Sequence, residues 1–383
     1  MNTEKLYYKD PYRRQFDATV LSCQPVKKGY AVVTDVTAFY PEGGGQPCDL
    51  GTLGNARVLD VQETEQGITH LCDSPLPLGA CVHGVIDWQR RFDLMQQHTG
   101  EHMVSGVIHA MFGCHNVGFH LGNDTIEIDF DKPIPAEALA QIEERVNRAI
   151  WENGEVLCHT PDPDALEHTF YRTKKALPWP VRIVKISDVD SCACCGLHTA
   201  RTGEVGLVKL LSCIKFHEGV RIEMVCGGRA MGWFSAVYDQ NRQISRLLSA
   251  KPLETAKAAQ RLEAQLSEEK QRAAALEKQL LDAIAEGYRG KETAVHFTSD
   301  PAAVRPLADR LAALCPGIVA VCGGEEGNYR ICLARPGGDV SALGKALHAT
   351  LGGKGGGRDG FHQGTAPTTR EKLSEFFCQN GIL

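Results

Sequence analysis

The sequence predicts an α+β protein in four parts, on three observations. Short β-branched runs punctuated by Gly and Pro fill residues 1–90. A proline-free stretch with helical spacing follows, leading into further strand-like segments. Beyond an uninterrupted helical segment, the last region alternates strand and helix. These periodicities distinguish half-buried strands from amphipathic helices.

Residues 1–90 carry alternating runs at 18–22, 30–34, 57–61, 68–71 and 84–87. Short strands with regular turn signals predict a small β-barrel. Residues 91–235 form the second part, an α+β domain. It opens with a helix over 91–110, where Met95, His98, His102, Ser105 and His109 recur at helical spacing. A strand over 125–130 follows, then a helix over 135–152 with Pro135 near its start, then strands within 181–225.

Residues 236–289 form a helical linker, with one helix running from Pro252 to about Tyr288. Leu262, Leu266, Ala273, Leu276 and Leu280 make a heptad seam if Glu269 takes one of its positions. Docking on its own chain and pairing with a second copy both satisfy such a seam. Residues 290–383 read as an α/β domain. Its glycine run (Gly352, Gly353, Lys354, Gly355, Gly356, Gly357, Arg358) follows a helix, whereas nucleotide-binding glycine loops follow a strand. It reads as an exposed loop whose bare backbone can approach a polyanion.

A chain of 383 residues suffices for several cores. It has no apolar run of membrane-spanning length, and its N-terminus is too polar for a signal peptide. Fifteen Cys without a short regular framework suit reduced thiols and a cytoplasmic setting. The net charge of −6 gives no sign of a nucleic-acid partner. Between 345 and 372, however, Lys345, Lys354, Arg358, Arg370 and Lys372 face only Asp359 and Glu371. A patch of that kind can position phosphates.

Two short pairs carry metal-ligand chemistry: His98-Thr-Gly-Glu-His102 and Cys194-Cys195-Gly-Leu-His198. On a helix, His at i and i+4 share a face and can reach one ion. With 14 His in the chain, chance supplies about half of one such pair, so the spacing needs support. The Cys-x-x-x-His spacing occurs twice, the second time as Cys213/His217. That pair lies in a strand-and-turn context, where i and i+4 stand roughly 13 Å apart and cannot chelate. Cys194 and His198 sit instead in a small-residue loop after a strand. One thiolate and three imidazoles suit tetrahedral Zn²⁺, in a catalytic or a structural site. Cys192 and Cys195 stand close enough in sequence to replace a ligand.

The two pairs, the segment Phe39-Tyr-Pro-Glu-Gly-Gly-Gly-Gln46 and the stretch Thr199 to Gly206 together resemble the alanyl-tRNA editing proteins. These are free-standing relatives of the alanyl-tRNA synthetase editing domain. The glycine run at 352–358 resembles the signature of the domain that follows editing domains in long members. Where the family usually has Cys-Gly-Gly-Thr-His, this chain has Cys194-Cys195-Gly196-Leu197-His198. The resemblance implies a zinc-dependent deacylase acting in trans on mischarged tRNA(Ala) carrying serine or glycine. It implies zinc on His98, His102, Cys194 and His198, and Thr37 against the serine hydroxyl. It also implies Gly43, Gly44 and Gly45 close to the aminoacyl-adenosine, with Gln46 orienting it. Gly352 to Arg358 would hold tRNA, with homodimerisation through the C-terminal region as the other use of that domain. Editing of Ser-tRNA(Thr) and a non-catalytic zinc-containing RNA-binding protein are the competing readings. A metallopeptidase lacks its His-Glu-x-x-His motif, since Glu101 directly precedes the second His.

Overall fold

Six strands near the N-terminus close into an antiparallel barrel in the order Gln15–Val26, Gly29–Thr34, Gly67–Cys72, Ala56–Thr64, Gly51–Leu53 and Cys81–Ile86. Alternation drives it: Phe16, Ala18 and Val20 point inward, and with Val32, Phe39, Val58, Val61 and Ile68 they form one apolar core. Gly51–Leu53 is too short, and starts on a glycine, to show a period in the sequence. The computed structural model describes residues 3–65, 67–173, 177–358 and 360–383.

The helix of the first His pair spans Trp88–Phe112. Asp87 caps it, its side chain accepting from Arg90 N at 3.1 Å, and Gly113 ends it at φ 62°. Its middle is buried almost all round, from Leu94 to Gly106. It packs on the Leu139–Trp151 helix, the Gly219–Cys226 strand and the Asp190–Ala193 strand. Two sheets surround it. One has the order Val208–Phe216, Gly219–Cys226, Ile126–Phe130, Asn116–Leu121; the other is Val156–His159, Ile183–Ile186, Asp190–Ala193. The helix expected from Pro135 starts as a 3-10 turn, Ala136–Ala138.

A buried ion pair ties the barrel to this helix. Arg91, 0% exposed, donates to both carboxylate oxygens of Asp49 and to the carbonyls of Pro11 (2.9 Å) and Ala38 (2.6 Å). Asp49 also accepts from Tyr40 N at 2.5 Å. The segment from Tyr40 to Asp49, which carries the first glycine run, is therefore fixed against the helix bearing the His pair. With every partner present the pair is satisfied; removing one side strands a buried charge at a cost of about 3–5 kcal/mol.

All of this lies in one compact unit, Met1–Gln243; the second is Ile244–Leu383. In the second unit the long helix runs Thr255–Glu286. Leu262, Leu266, Leu276 and Leu280 are all more than half exposed, so among the described residues of this unit the heptad seam is left uncovered. Leu281 and Ala285 are buried instead, in one cluster with Leu307 and Leu311 of the Val304–Leu314 helix. A five-stranded sheet has the order Ala294–Thr298, Val319–Glu325, Asn328–Ala334, Phe361–Ala366, Lys354–Arg358.

The second glycine run corrects the sequence reading. Lys354–Arg358 is an exposed edge strand, not a loop, paired antiparallel with Phe361–Ala366. Glycine has poor intrinsic strand preference, so nothing local announces it. Pairing with its neighbour imposes the conformation. Asp359, counted in the basic stretch above, lies outside the described residues.

Candidate metal centre

His98, His102, Cys194 and His198 converge, with one ligand atom from each lying within 4.8 Å of all the others. The two His of the helix bring 98 and 102 together. The loop after the Asp190–Ala193 strand brings Cys194 and His198 back to the same point. Arg182 shapes that loop by donating to the carbonyls of Cys194 and Gly196, both at 2.8 Å. Gly196 is required there: a Cβ would stand 2.1 Å from His98 Cε1.

Each imidazole is oriented through its Nδ1. His98 Nδ1 faces Gln46 Oε1 at 3.0 Å, and Leu197 N donates to the same oxygen at 3.0 Å. A backbone N–H needs an acceptor, so that atom is the amide oxygen and His98 Nδ1 carries the proton. His102 Nδ1 faces Asp190 Oδ2 at 3.1 Å, and Arg172 fixes Asp190 with two bonds of 2.7 and 2.8 Å. His198 Nδ1 faces Thr99 Oγ1 at 3.3 Å. For His98 and His102 the Nε2 atom is thereby left with its lone pair facing the cluster. His198 Nε2 is buried without a hydrogen-bond partner, and His98 Nε2 stands 3.5 Å from Cys194 Sγ. Three oriented imidazoles around a thiol, each backed by an oxygen, fit a metal ion's requirements.

Electrostatics agree with that fit. Burial alone would push the Cys194 thiol up, but His98 and His102 hold it well below the ordinary thiol value. Burial would lower His102, yet Cys194 and the bond to Asp190 raise it well above an ordinary histidine. Burial, followed by the neighbouring His98, lowers His198 to about 3. Cys192 forms a second grouping with His102 and Asp190, but Arg172 already occupies that carboxylate. Cys195 is exposed, and its carbonyl accepts from Tyr8 Oη at 2.9 Å. Cys213 and His217 lie apart from the cluster, on the Val208–Phe216 strand and at a turn position with φ 51°.

The cluster opens onto a cavity of about 820 Å³, lined among others by Lys5, Tyr8, Gly44, Glu101, Asn116 and Arg182. Of the first glycine run, Gly44 alone lines it. Gly43 and Gln46 exchange two backbone bonds around Gly44 and Gly45, which sit at φ 59° and 80°. Such a tight reversal needs glycine at both central positions. Its product is the placement of Gln46, whose oxygen orients His98. Gln46, expected from the resemblance to orient substrate, thus has its oxygen committed to His98 and Leu197, while its Nε2 is buried without a hydrogen-bond partner.

Thr37, expected against the serine hydroxyl, lies in the barrel. It is fully buried, and its hydroxyl is 2.8 Å from His70 Nε2 while accepting from Phe39 N at 3.1 Å. His70 Nδ1 faces the Val32 carbonyl at 3.1 Å and so carries the proton, which makes Nε2 the acceptor of the Thr37 hydroxyl. Burial lowers His70 to about 4, consistent with that neutral ring. Thr37 is a barrel-core residue, outside the cavity lining. Gly352 to Arg358 lie in the second unit, with Lys354–Arg358 forming its exposed edge strand.

Asp190, Arg172, Thr99 and Asn116 escaped the sequence reading. Their partners lie many residues away, and no short motif joins them.

The geometry defines a class, a domain with a His/Cys cluster able to hold a metal beside a small barrel, and comparison with known proteins narrows it. Residues 181–223, which hold Cys194 and His198, match the family described as "Threonyl and Alanyl tRNA synthetase second additional domain". The chain is 30% identical over 386 residues to alanyl-tRNA editing protein Aarsd1 of Mus musculus, covering 94% of this chain and 93% of that protein. It is 29% identical to alanyl-tRNA editing protein Aarsd1-B of Xenopus laevis over 94% of this chain and 92% of that one. It is 32% identical to the alanine–tRNA ligase of Ignicoccus hospitalis over 93% of this chain, while spanning only 40% of the ligase. The chain belongs to the alanyl-tRNA editing protein family.

Proposed function

We propose that this protein hydrolyses, in trans, the ester of tRNA(Ala) mischarged with serine or glycine, releasing the amino acid and tRNA(Ala). The carrying observation is the convergence of His98, His102, Cys194 and His198 at the wall of a large cavity. The ligand set suits zinc, which when bound would polarise the ester carbonyl or lower the pKa of a coordinated water.

The chain's own residues do the remaining work. Gln46, Asp190 and Thr99 hold the imidazoles so that their Nε2 atoms converge. Lys5 and Arg182 give the cavity wall positive charge suited to the phosphates of an acceptor end. Gly44 presents bare backbone to the same space. A pocket that must reject alanine's near neighbours gains only about 10- to 200-fold from apolar fit, so a separate hydrolytic site has a clear use.

In the second unit, Gly352 and Gly353 together with the exposed strand of Lys354, Gly355, Gly356, Gly357 and Arg358 are assigned to the tRNA body. Residues 1–90, 91–235, 236–289 and 290–383 would then serve as barrel, editing domain, helical linker and tRNA-binding or dimerisation domain. Because binding far from the ester adds affinity without chemistry, Lys354→Ala/Arg358→Ala should raise KM for Ser-tRNA(Ala) and leave kcat unchanged. Among the described residues no helix is long and apolar enough to cross a membrane, and a cytoplasmic setting suits the proposed substrate.

The test is release of serine from Ser-tRNA(Ala), with Ala-tRNA(Ala) and Ser-tRNA(Thr) as controls. Release from the first alone supports the proposal. Release from Ser-tRNA(Thr) alone would favour the threonyl-type reading, and no release at all would favour a non-catalytic RNA-binding role.

A further inference from the structure

We propose that Glu101 and Asn116 form a subsite for the α-ammonium group of the aminoacyl ester. The inference rests on the hydrolytic reading above and identifies the residues that read the amino end of the substrate. Glu101 is 4% exposed and lines the cavity. Its Oε1 accepts from Ser105 Oγ and from Asn116 Nδ2, both at 2.6 Å. Its Oε2 accepts no hydrogen bond among the described residues and stands 3.9 Å from His102 Nε2.

Asn116 opens the Asn116–Leu121 strand and lines the same cavity. Its amide nitrogen serves Glu101 and, at 3.2 Å, Ser105 Oγ. Its Oδ1 is buried and has no partner. The cavity wall thus offers an amide oxygen that is buried without a donor and a carboxylate oxygen that accepts no hydrogen bond among the described residues. A buried acceptor left in that state is costly.

The complementary ligand needs several N–H donors and a positive charge. An α-ammonium has three donors, one charge and no acceptor to clash with these oxygens. A serine hydroxyl has one donor, enough for one oxygen, and leaves the charge unmatched. Connectivity agrees as well. The amino nitrogen is two bonds from the ester carbonyl carbon, and an acceptor 3.9 Å from a ligand nitrogen is within such a reach. Glu101 thereby acts as a specificity residue, favouring esters with a free amine over N-blocked or peptidyl esters.

Calorimetric titration of the metal-loaded protein with two non-hydrolysable adenosine 3′-amides tests this. One is the seryl amide; in the other a hydroxyl replaces the α-ammonium. Wild type should prefer the amine by about tenfold or more, the range of a hydrogen bond to a charged group. Glu101→Gln, with metal content measured alongside, should bring that preference near unity while leaving the hydroxyl analogue's affinity unchanged. Equal affinities in the wild type, or equal weakening of both ligands by Glu101→Gln, would overturn the subsite. Should Glu101→Gln lose its metal or its fold, the wild-type comparison together with Asn116→Ala decides, the latter reducing the preference if the subsite is real. Serine release from Ser-tRNA(Ala) by wild type is scored separately. Its absence beside a strong amine preference removes the hydrolytic reading alone, and its presence beside no preference removes the subsite alone.

Discussion

Cys194/His198 and Cys213/His217 share one spacing and have opposite fates. The first pair follows a short strand into a loop that Arg182 staples back on itself, so both side chains reach the imidazoles of the helix. The second runs along a strand into a turn, and the extended backbone separates its members. Spacing becomes chelation only where the chain doubles back. Their thiols differ accordingly. Burial pushes Cys213 up, whereas at Cys194 His98 and His102 overcome the same burial effect.

The largest expected difference between the pairs is in metal content. Cys194→Ala or His102→Ala should lose most bound zinc, while Cys213→Ala keeps a full equivalent by elemental analysis. Metal loss in Cys213→Ala would erase the distinction drawn between the pairs.

The supporting shell sharpens the comparison next, because among the described residues no side-chain hydrogen bond backs the second pair. Asp190→Asn removes the carboxylate behind His102 and should weaken metal affinity by about 10- to 100-fold in a chelator competition. An unchanged affinity would mean that Asp190 serves only Arg172. pH gives a related handle. Cys194 and Asp190 raise the proton affinity of His102, so zinc must displace that proton to bind. Affinity should therefore fall as pH drops, by about tenfold per unit for each proton released, and rise again as pH increases. A pH-independent affinity would contradict the ligand role of His102.

Two glycines extend the contrast. A Cβ at Gly196 would meet His98, whereas one at Gly219, beside the second pair, would meet the Phe130 carbonyl at 1.8 Å. Gly196→Ala should lower zinc affinity; Gly219→Ala should lower the melting temperature with zinc retained. Swapped outcomes would place the metal elsewhere. The smallest effect belongs to Thr37, which touches neither pair. Thr37→Val should cost about 1 kcal/mol of stability through its lost bond to His70 and leave the ratio of serine to glycine release unchanged. A shifted ratio would return Thr37 to the substrate pocket.

How much of this could be read in the sequence followed from how local each signal is. The strands at 18–22 and 57–61 and the helix around His98 declared themselves because burial imposes their periods on neighbouring residues. The four candidate ligands were legible because each pair is compact. Gln46 and Asp190 were not. Their roles depend on contacts across 52 and 88 residues, which the tight turn at Gly44–Gly45 and the strand at Asp190–Ala193 create only on folding. The Lys354–Arg358 strand was hidden for the opposite reason, since its residues have no preference of their own and adopt their neighbour's pairing. The exposed leucines of Thr255–Glu286 show that a heptad pattern does not by itself name its partner.

Parallel assays of serine release from Ser-tRNA(Ala) by wild type, Cys194→Ala and Cys213→Ala test the central claim most directly. The account predicts equal rates for wild type and Cys213→Ala and a rate at background for Cys194→Ala. Undiminished release by a folded Cys194→Ala protein would contradict it.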